Sequence, residues 1–159
     1  MEQMTLFELP YKYIIDTSSL LSQKEGEPHN RKTYVTMWAN IEQYIKDSII
    51  IICSEIAEEV QDSEINDWLS SLACAVIEID EEIQQNVIRI VTSNPSLIEF
   101  RQNKSSGDAF LIATAMKYNL TVITEEGKLS PKKIPYVCHN LGVDCININE
   151  LCEKENWTF

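Results

Sequence analysis

The sequence predicts an α/β fold of three layers, with a central, mostly parallel, twisted sheet between two layers of helices. Short apolar runs alternate with segments of helical spacing, and each short run is almost continuously apolar, as in strands covered on both faces. The length of 159 residues suits one domain with a sizeable core. We therefore expect a single domain over residues 1–159, with residues 1–11 as an N-terminal extension.

The first predicted strand and two helices lie near the N-terminus. Lys12–Asp16 is a β-rich apolar run that ends in an acid, and Thr17–Ser19 is a natural helix start. A polar loop follows at Gly26–Lys32. Apolar residues then recur at helical spacing: Val35, Trp38, Ile41 and Ile45.

Two further strands are predicted in the middle of the chain. Ile49–Cys53 has the continuous apolar pattern of a buried strand, and Ser54 is the expected N-cap of the helix that follows. Trp68–Leu72 indicates a short helix, and Val76–Ile79 a third strand. Asp80–Ile90 has a capping acid followed by apolar residues at helical spacing.

The second half continues the alternation. Ser105–Tyr118 predicts a strong helix, and Thr121–Thr124 the next strand. Ile134–Leu141 predicts a helix with proline in its first turn, where proline is favoured. Cys145–Ile148 is the last predicted strand, and Ile148–Glu155 the terminal helix.

Acidic residues occur where a parallel sheet would bring them together. Asp16 closes the first strand, Glu59 lies in the helix after the second strand, and Asp108 opens a helix. Glu125 and Glu126 close a later strand. Ligands of such sheets bind at the carboxyl ends of the strands, so these acids are the candidate site. A single acid after a strand or at a helix start is most simply explained as a cap. The occurrence of all these acids together is what indicates a site.

Carboxylates at close range repel one another and need a counter-charge when they are buried. Oxygen ligands favour Mg²⁺ or Mn²⁺ over Zn²⁺, and His29 and His139 are the only histidines. The hydroxyls of Ser18 and Thr124 stand beside the acids. We expect them either to support the acids by hydrogen bonds or to cap the local backbone.

The net charge of −12 argues against binding nucleic acid through a broad basic face. No Lys or Arg occurs between Asp47 and Ile88, and the basic residues gather in three loop-like stretches. Arg31, Lys32 and Lys104 are the candidates for phosphate contacts. The alternative is that these stretches are ordinary solvated loops.

The remaining composition indicates a cytoplasmic protein with free thiols. The five cysteines contain no C-x-x-C pair, and their spacing matches no zinc site. The first ten residues carry acids where a secretory signal would need basic residues, so we expect no signal peptide, and no apolar run is long enough to span a membrane. The aromatic residues at helical spacing are expected in the core and not as stacking platforms for bases: Trp38, Tyr44, Trp68 and Tyr118.

Four segments resemble the motifs of PIN-domain ribonucleases. Tyr13–Leu21 resembles the first-strand signature, Cys53–Val60 the second motif, and Gly107–Ala115 the third. Val122–Glu126 resembles the fourth, although Glu125 stands where the family usually has Asn. The segment that follows, Lys133–Asn147, resembles a bacterial and archaeal PIN-like branch of unknown function. The resemblance implies a PIN-like, Rossmann-like fold.

The resemblance also implies an activity, the hydrolysis of RNA to products with a 5′-phosphate and a 3′-hydroxyl. Asp16 and Asp108 would be the principal ligands of Mg²⁺ or Mn²⁺, while Glu59 and Glu126 would hold a second ion or orient water. Glu58 and Glu125 remain alternatives to their neighbours. A toxin–antitoxin pair with a separately encoded antitoxin, and a homodimer, are the implied associations.

Two other functions are compatible with parts of the sequence. The low basic content and the Glu-Glu fourth motif would suit a PIN-like module that binds RNA or protein with little catalysis. A phosphotransferase or phosphatase with Asp16 as its nucleophile would commonly have a second acid two residues later. Position 18 is serine, which disfavours this function.

Overall fold

The computed structural model describes residues 9–94, 107–127 and 133–159. Its centre is a sheet of five parallel strands, and the described helices flank it, so the predicted α/β class is confirmed. The sheet is wholly parallel within these ranges. The strands are β1 (Tyr13–Ile15), β2 (Ile50–Cys53), β3 (Val76–Ile77), β4 (Thr121–Ile123) and β5 (Cys145–Ile146).

Eight helices occur in the described ranges. They are α1 (Thr17–Leu21), α2 (Val35–Lys46), α3 (Ser54–Glu59), α4 (Ser63–Ser71), α5 (Glu81–Ser93), α6 (Gly107–Tyr118), α7 (Ile134–Leu141) and α8 (Ile148–Lys154). None of the described helices is long and apolar enough to cross a membrane.

The strands are ordered β3-β2-β1-β4-β5. Tyr13 pairs with Ile50 on one side and with Thr121 on the other. Strands β2 and β3 thus follow β1 on one side of it, and β4 and β5 lie on the other side of β1. The strand order reverses between β1 and β4, and an open α/β sheet offers its ligand crevice at the carboxyl ends of two such strands.

Burial explains the continuous apolar strand patterns. Every residue of β1, β2 and β4 is buried, whereas β3 and β5 at the sheet edges are partly exposed. Helix α6 packs against the three central strands and against α3 and α5, which is why it is apolar on most of its faces. The expectation that the helical aromatic residues belong to the core is confirmed, since Trp38 is fully buried and the other three are partly buried and pack against the core.

Several predicted boundaries differ from the structure. The prediction that Ser54 caps α3 is wrong by one residue, because Cys53 is the N-cap and its side chain makes no capping bond. Both edge strands are shorter than predicted, because β3 ends at Ile77 and β5 at Ile146. The described part of α6 begins at Gly107, and its predicted start at Ser105 lies outside the described residues.

Candidate active site

The candidate site lies at the carboxyl ends of β1 and β4. Asp16 follows β1 directly and Thr124 follows β4 directly, and these strands are hydrogen-bonded neighbours. Helix α6 leads into β4, so it must begin at this same edge of the sheet, with Asp108 in its first turn. The topology therefore brings three of the four sequence motifs to one edge, and α3, which follows β2, brings the fourth.

Asp16 is buried among neutral hydrogen-bond donors. Its side chain is 2% exposed and caps α1 by accepting from the Ser19 amide at 3.1 Å. The Thr124 hydroxyl donates to one carboxylate oxygen at 2.7 Å, and the Ser18 hydroxyl lies 2.8 Å from the other. Ser18 and Thr124 thus support the acid directly, and Ser18 also accepts from the Glu125 amide at 3.0 Å.

This environment disfavours the ionised form of Asp16. Burial raises its pKa to about 6, although the hydrogen bonds from Thr124, Ser19 and Ser18 act in the opposite direction. The negative charge of Glu126 adds to the rise, and the Thr124 hydroxyl that donates to Asp16 also accepts from the Glu126 amide at 3.2 Å. A buried acid beside another acid is the arrangement that a bound cation stabilises.

The two late acids divide between two helices. Glu126 accepts from the amide of Ile134, at the start of α7, at 3.0 Å. Glu125 accepts from the amide of Ile148, at the start of α8, at 2.9 Å. Of the two, Glu126 acts on Asp16, whereas Glu125 is directed toward α8.

Glu59 rather than Glu58 is directed toward α6. Glu58 is exposed, while the Glu59 carboxylate lies against the backbone of Gly107, so close that a side chain at Gly107 would overlap it. Gly107 is the residue before Asp108, which is 4% exposed. The absence of a side chain at position 107 therefore lets Glu59 approach the start of α6, where the helix dipole favours carboxylates.

The acids thus lie at the same edge, with Glu126 two residues after the Thr124 that bonds Asp16, and with Glu59 against Gly107, the residue before Asp108. Within the described ranges, no three acidic, histidine or cysteine side chains are close enough to hold one metal ion together. Carboxylate oxygens suit Mg²⁺ or Mn²⁺, and among the described residues the hydrogen-bond partners of Asp16 are hydroxyls and an amide, with no basic side chain. Mg²⁺ is usually held by one or two carboxylates together with waters and substrate phosphates, so a smaller set of these acids would suffice.

The predicted phosphate contacts have different surroundings. The Arg31 guanidinium lies 2.9 Å from the Glu42 carboxylate and faces the indole rings of Trp38 and Trp68. Lys32 is highly exposed, and its ammonium lies 3.5 Å from Glu25. Lys104 lies outside the described residues. Arg31 thus has a structural role in joining α2 to α4, and Lys32 is the cation open to solvent.

His29 is a residue of this region that the sequence did not single out. It is 5% exposed, and its Nδ1 lies 3.6 Å from the Glu125 carboxylate. Its Nε2 lies 3.1 Å from the Asn149 side-chain oxygen, in α8. The only sequence signal was a histidine within a polar loop, which is indistinguishable from a solvated one until the loop is folded.

The comparisons with known proteins agree on the fold. The family described as "Domain of unknown function (DUF4411)" matches residues 13–159. PAE2754 from Pyrobaculum aerophilum is 14% identical, with 91% of this chain and 89% of that chain covered and a TM-score of 0.54. FitAcB from Neisseria gonorrhoeae is 14% identical, with 86% and 97% covered and a TM-score of 0.51. No curated protein matches significantly. The fold is similar to PIN-domain structures.

Proposed function

The chain belongs to the DUF4411 family, and we propose that it is a metal-dependent endoribonuclease of the PIN type. One observation carries the proposal. Asp16 is buried at the point where the strand order reverses, with neutral donors around it and Glu126 nearby. The cap on α1 does not require this burial, which disfavours the ionised form of Asp16, so a functional role explains the arrangement better.

The fold similarity supports the same class. FitAcB shares this fold, and the PIN-like proteins whose motifs the sequence resembles are in general nucleases. A PIN-like, toxin-related role with a separately encoded antitoxin is therefore part of the proposal. The four acids of the PIN-like motifs all belong to elements that meet at the carboxyl edge of this sheet.

The residues have distinct roles in the proposed reaction. Asp16 and Asp108 would hold Mg²⁺ or Mn²⁺, which when bound neutralises the acids and polarises the scissile phosphate. Ser18 and Thr124 fix the orientation of the Asp16 carboxylate through their hydroxyls. Glu59 and Glu126 would hold a second ion or orient the attacking water. Glu125, bonded to α8, is the lesser candidate.

A cleavage assay tests the proposal. The protein is incubated with a labelled single-stranded RNA in Mn²⁺, and the ends of the products are identified. We expect internal cuts that leave 5′-phosphates, and we expect loss of cleavage with chelator or in Asp108→Asn. Cleavage that persists in chelator would refute the metal-dependent reaction, and cleavage unchanged in Asp108→Asn would refute the assigned site.

A second candidate function is a PIN-like module that binds RNA or protein with little catalysis. Two observations favour it: Glu125 and Glu126 are engaged at helix starts, and no three described side chains are close enough to share a metal ion. The module would show no heat of binding at millimolar Mn²⁺. The nuclease would bind Mn²⁺ in a manner that requires Asp16.

A further inference from the structure

A small apolar cleft opens at the start of α2. Its volume is about 230 Å³. Three of its lining side chains are unusually exposed for apolar or aromatic residues, Tyr34 by 37%, Val35 by 64% and Phe159 by 68%. The complete lining is Thr33, Tyr34, Val35, Thr36, Met37 and Phe159. Such a cluster on the surface of a small protein indicates a binding surface.

The cleft lies at the same edge of the sheet as the acids. Helix α2 leads into β2, so its first residues are at the carboxyl end of the strands. The ring of Tyr34 meets the ring of His29 edge to face, with centroids 5.5 Å apart. His29 in turn lies 3.6 Å from the Glu125 carboxylate, just after β4. A continuous chain of contacts therefore joins the cleft to the candidate site.

The position of Tyr34 is fixed by its surroundings. Its amide donates to the carbonyl of Asn30 at 3.0 Å. The Trp38 indole donates to the carbonyl of His29 at 2.6 Å, and the His29 amide donates to Ser22 at 3.0 Å. The backbone that carries Tyr34 is thus held in place, and the His29 ring packs against the Tyr34 ring, which lowers the entropic cost of stacking on it.

The charge of the protein limits how it can hold a nucleic acid. With a net charge of −12 it cannot rely on many phosphate contacts. The guanidinium of Arg31 is occupied by Glu42 and two indoles. Lys32, the residue before the first cleft residue Thr33, is 82% exposed, and its ion pair is with the similarly exposed Glu25. Most of the affinity would therefore have to come from stacking on bases, which does not depend on charge.

We propose that the cleft binds an unpaired base of a single-stranded RNA substrate, with the base stacked on Tyr34 and a neighbouring phosphate beside Lys32. This inference rests on the proposed nuclease function and names the form of substrate that the site accepts. A duplex, whose bases are already stacked and paired, would not bind the cleft. Purines, which stack more extensively than pyrimidines, would bind it more tightly.

Binding without cleavage tests the cleft directly. A labelled 12-nucleotide oligoadenylate is titrated with protein in chelator, alongside oligouridylate and a duplex of the two. We expect the order oligoadenylate, oligouridylate, duplex, with a shallow salt dependence for the first. Tyr34→Leu should weaken binding of oligoadenylate about tenfold, while Tyr34→Phe stays within about twofold of wild type. Ile88→Ala, at a 63% exposed apolar position on α5, is the control and should change nothing.

The variants Tyr34→Leu and Tyr34→Phe distinguish an RNA base from a protein partner as the ligand of the cleft. A partner that docks on an apolar surface would accept leucine, whereas a stacked base requires an aromatic ring. Unchanged RNA affinity in Tyr34→Leu, or equal affinity for the duplex, would overturn the inference.

Cleavage kinetics distinguish a failure of the cleft from a failure of the nuclease. RNA cleavage by the wild type with an unchanged KM in Tyr34→Leu would refute the cleft alone. No cleavage by the wild type, together with Tyr34-dependent binding of oligoadenylate, would refute the nuclease alone.

Discussion

A partly buried carboxylate and a fully buried one lie at opposite ends of β1 and have opposite environments. At the amino end, Glu155 accepts hydrogen bonds from Lys12 at 2.6 Å, from the Tyr44 hydroxyl at 2.6 Å and from the Tyr13 hydroxyl. Burial alone would raise its pKa, but these bonds outweigh burial and lower it to about 2. At the carboxyl end, Asp16 has hydroxyl and amide donors and a second acid nearby, and burial raises its pKa to about 6.

The difference separates an acid used for stability from one available for function. Elsewhere in the described chain, acids are paired with basic side chains: Asp62 with Lys24, Asp80 with Lys117, and Glu42 with Arg31. Asp16 is more deeply buried than any of them and is given neutral donors instead. A cation from solution would supply the charge that lysine supplies at Glu155.

The largest expected effect is on cleavage. Asp16→Asn should reduce RNA cleavage about 1,000-fold or more, because the amide cannot balance a cation as the carboxylate does. Glu155→Gln, the same chemical change at the opposite end of β1, should leave cleavage within about twofold of wild type. Both variants are measured in Mn²⁺ at equal concentrations of folded protein. Equal losses of cleavage in the two variants would show that the two ends of β1 do not differ in function.

The next effect is a gain in stability. Because the folded-state pKa of Asp16 is raised from 3.8 to about 6, its protonated form stabilises the fold below pH 4, and this contribution is lost as the pH rises through 6. Asp16→Asn avoids the loss and should be more stable than wild type by up to about 3 kcal/mol at pH 7.5 in chelator. Urea unfolding should show this gain shrinking toward zero at pH 4. A destabilised variant at pH 7.5 would contradict it.

Glu155 should respond in the opposite direction. Glu155→Gln should lower the free energy of unfolding by about 2 kcal/mol at pH 7.5, because charge-assisted hydrogen bonds to Lys12 and the tyrosines are lost. Since the folded-state pKa is lowered, the stabilisation is present above pH 4.5 and is lost as the pH falls toward 2. Denaturant unfolding of the variant and wild type at pH 7.5 and pH 2.5 measures it. The same difference in the free energy of unfolding at pH 7.5 and at pH 2.5 would contradict this prediction.

The smallest effect tests Glu59 at the carboxyl edge. In Gly107→Ala the new methyl group must displace the Glu59 carboxylate, so cleavage should fall about tenfold while the fold is kept. Glu59 is flexible at its end, and alanine suits a helix better than glycine, so stability should change by less than about 1 kcal/mol. Gly127→Ala is the matched control, since a side chain there meets open space. Full activity in Gly107→Ala would remove Glu59 from the site.

The fold could be predicted because a strand that is buried on both faces of the sheet has a continuous run of apolar residues. Ile50–Cys53 and Tyr13–Ile15 are buried at every residue, so their apolar runs are continuous and their ends easy to place. The edge strands were predicted too long, since Val76–Ile77 is partly exposed and its apolar pattern continues past the last paired residue. The N-cap at Ser54 was misplaced because the cap is set by backbone geometry at Cys53, with no side-chain bond to signal it.

The site was predictable only to the level of elements. Acids at strand ends and helix starts indicate an edge of the sheet, but Glu125 and Glu126 are adjacent in sequence and diverge to different helices. The role of Arg31 depends on Trp38 and Trp68, which come together only through packing of α2 and α4. The same holds for His29, whose partners Glu125 and Asn149 are about a hundred residues away in the chain.

The central claim is that Asp16 takes its counter-charge from a divalent cation, and calorimetric titration with Mn²⁺ tests it most directly. Wild type and Glu155→Gln should bind Mn²⁺ with the same affinity, and Asp16→Asn should show no binding in the same concentration range. Absence of binding to the wild type at millimolar Mn²⁺, or equal binding to Asp16→Asn, would contradict the claim.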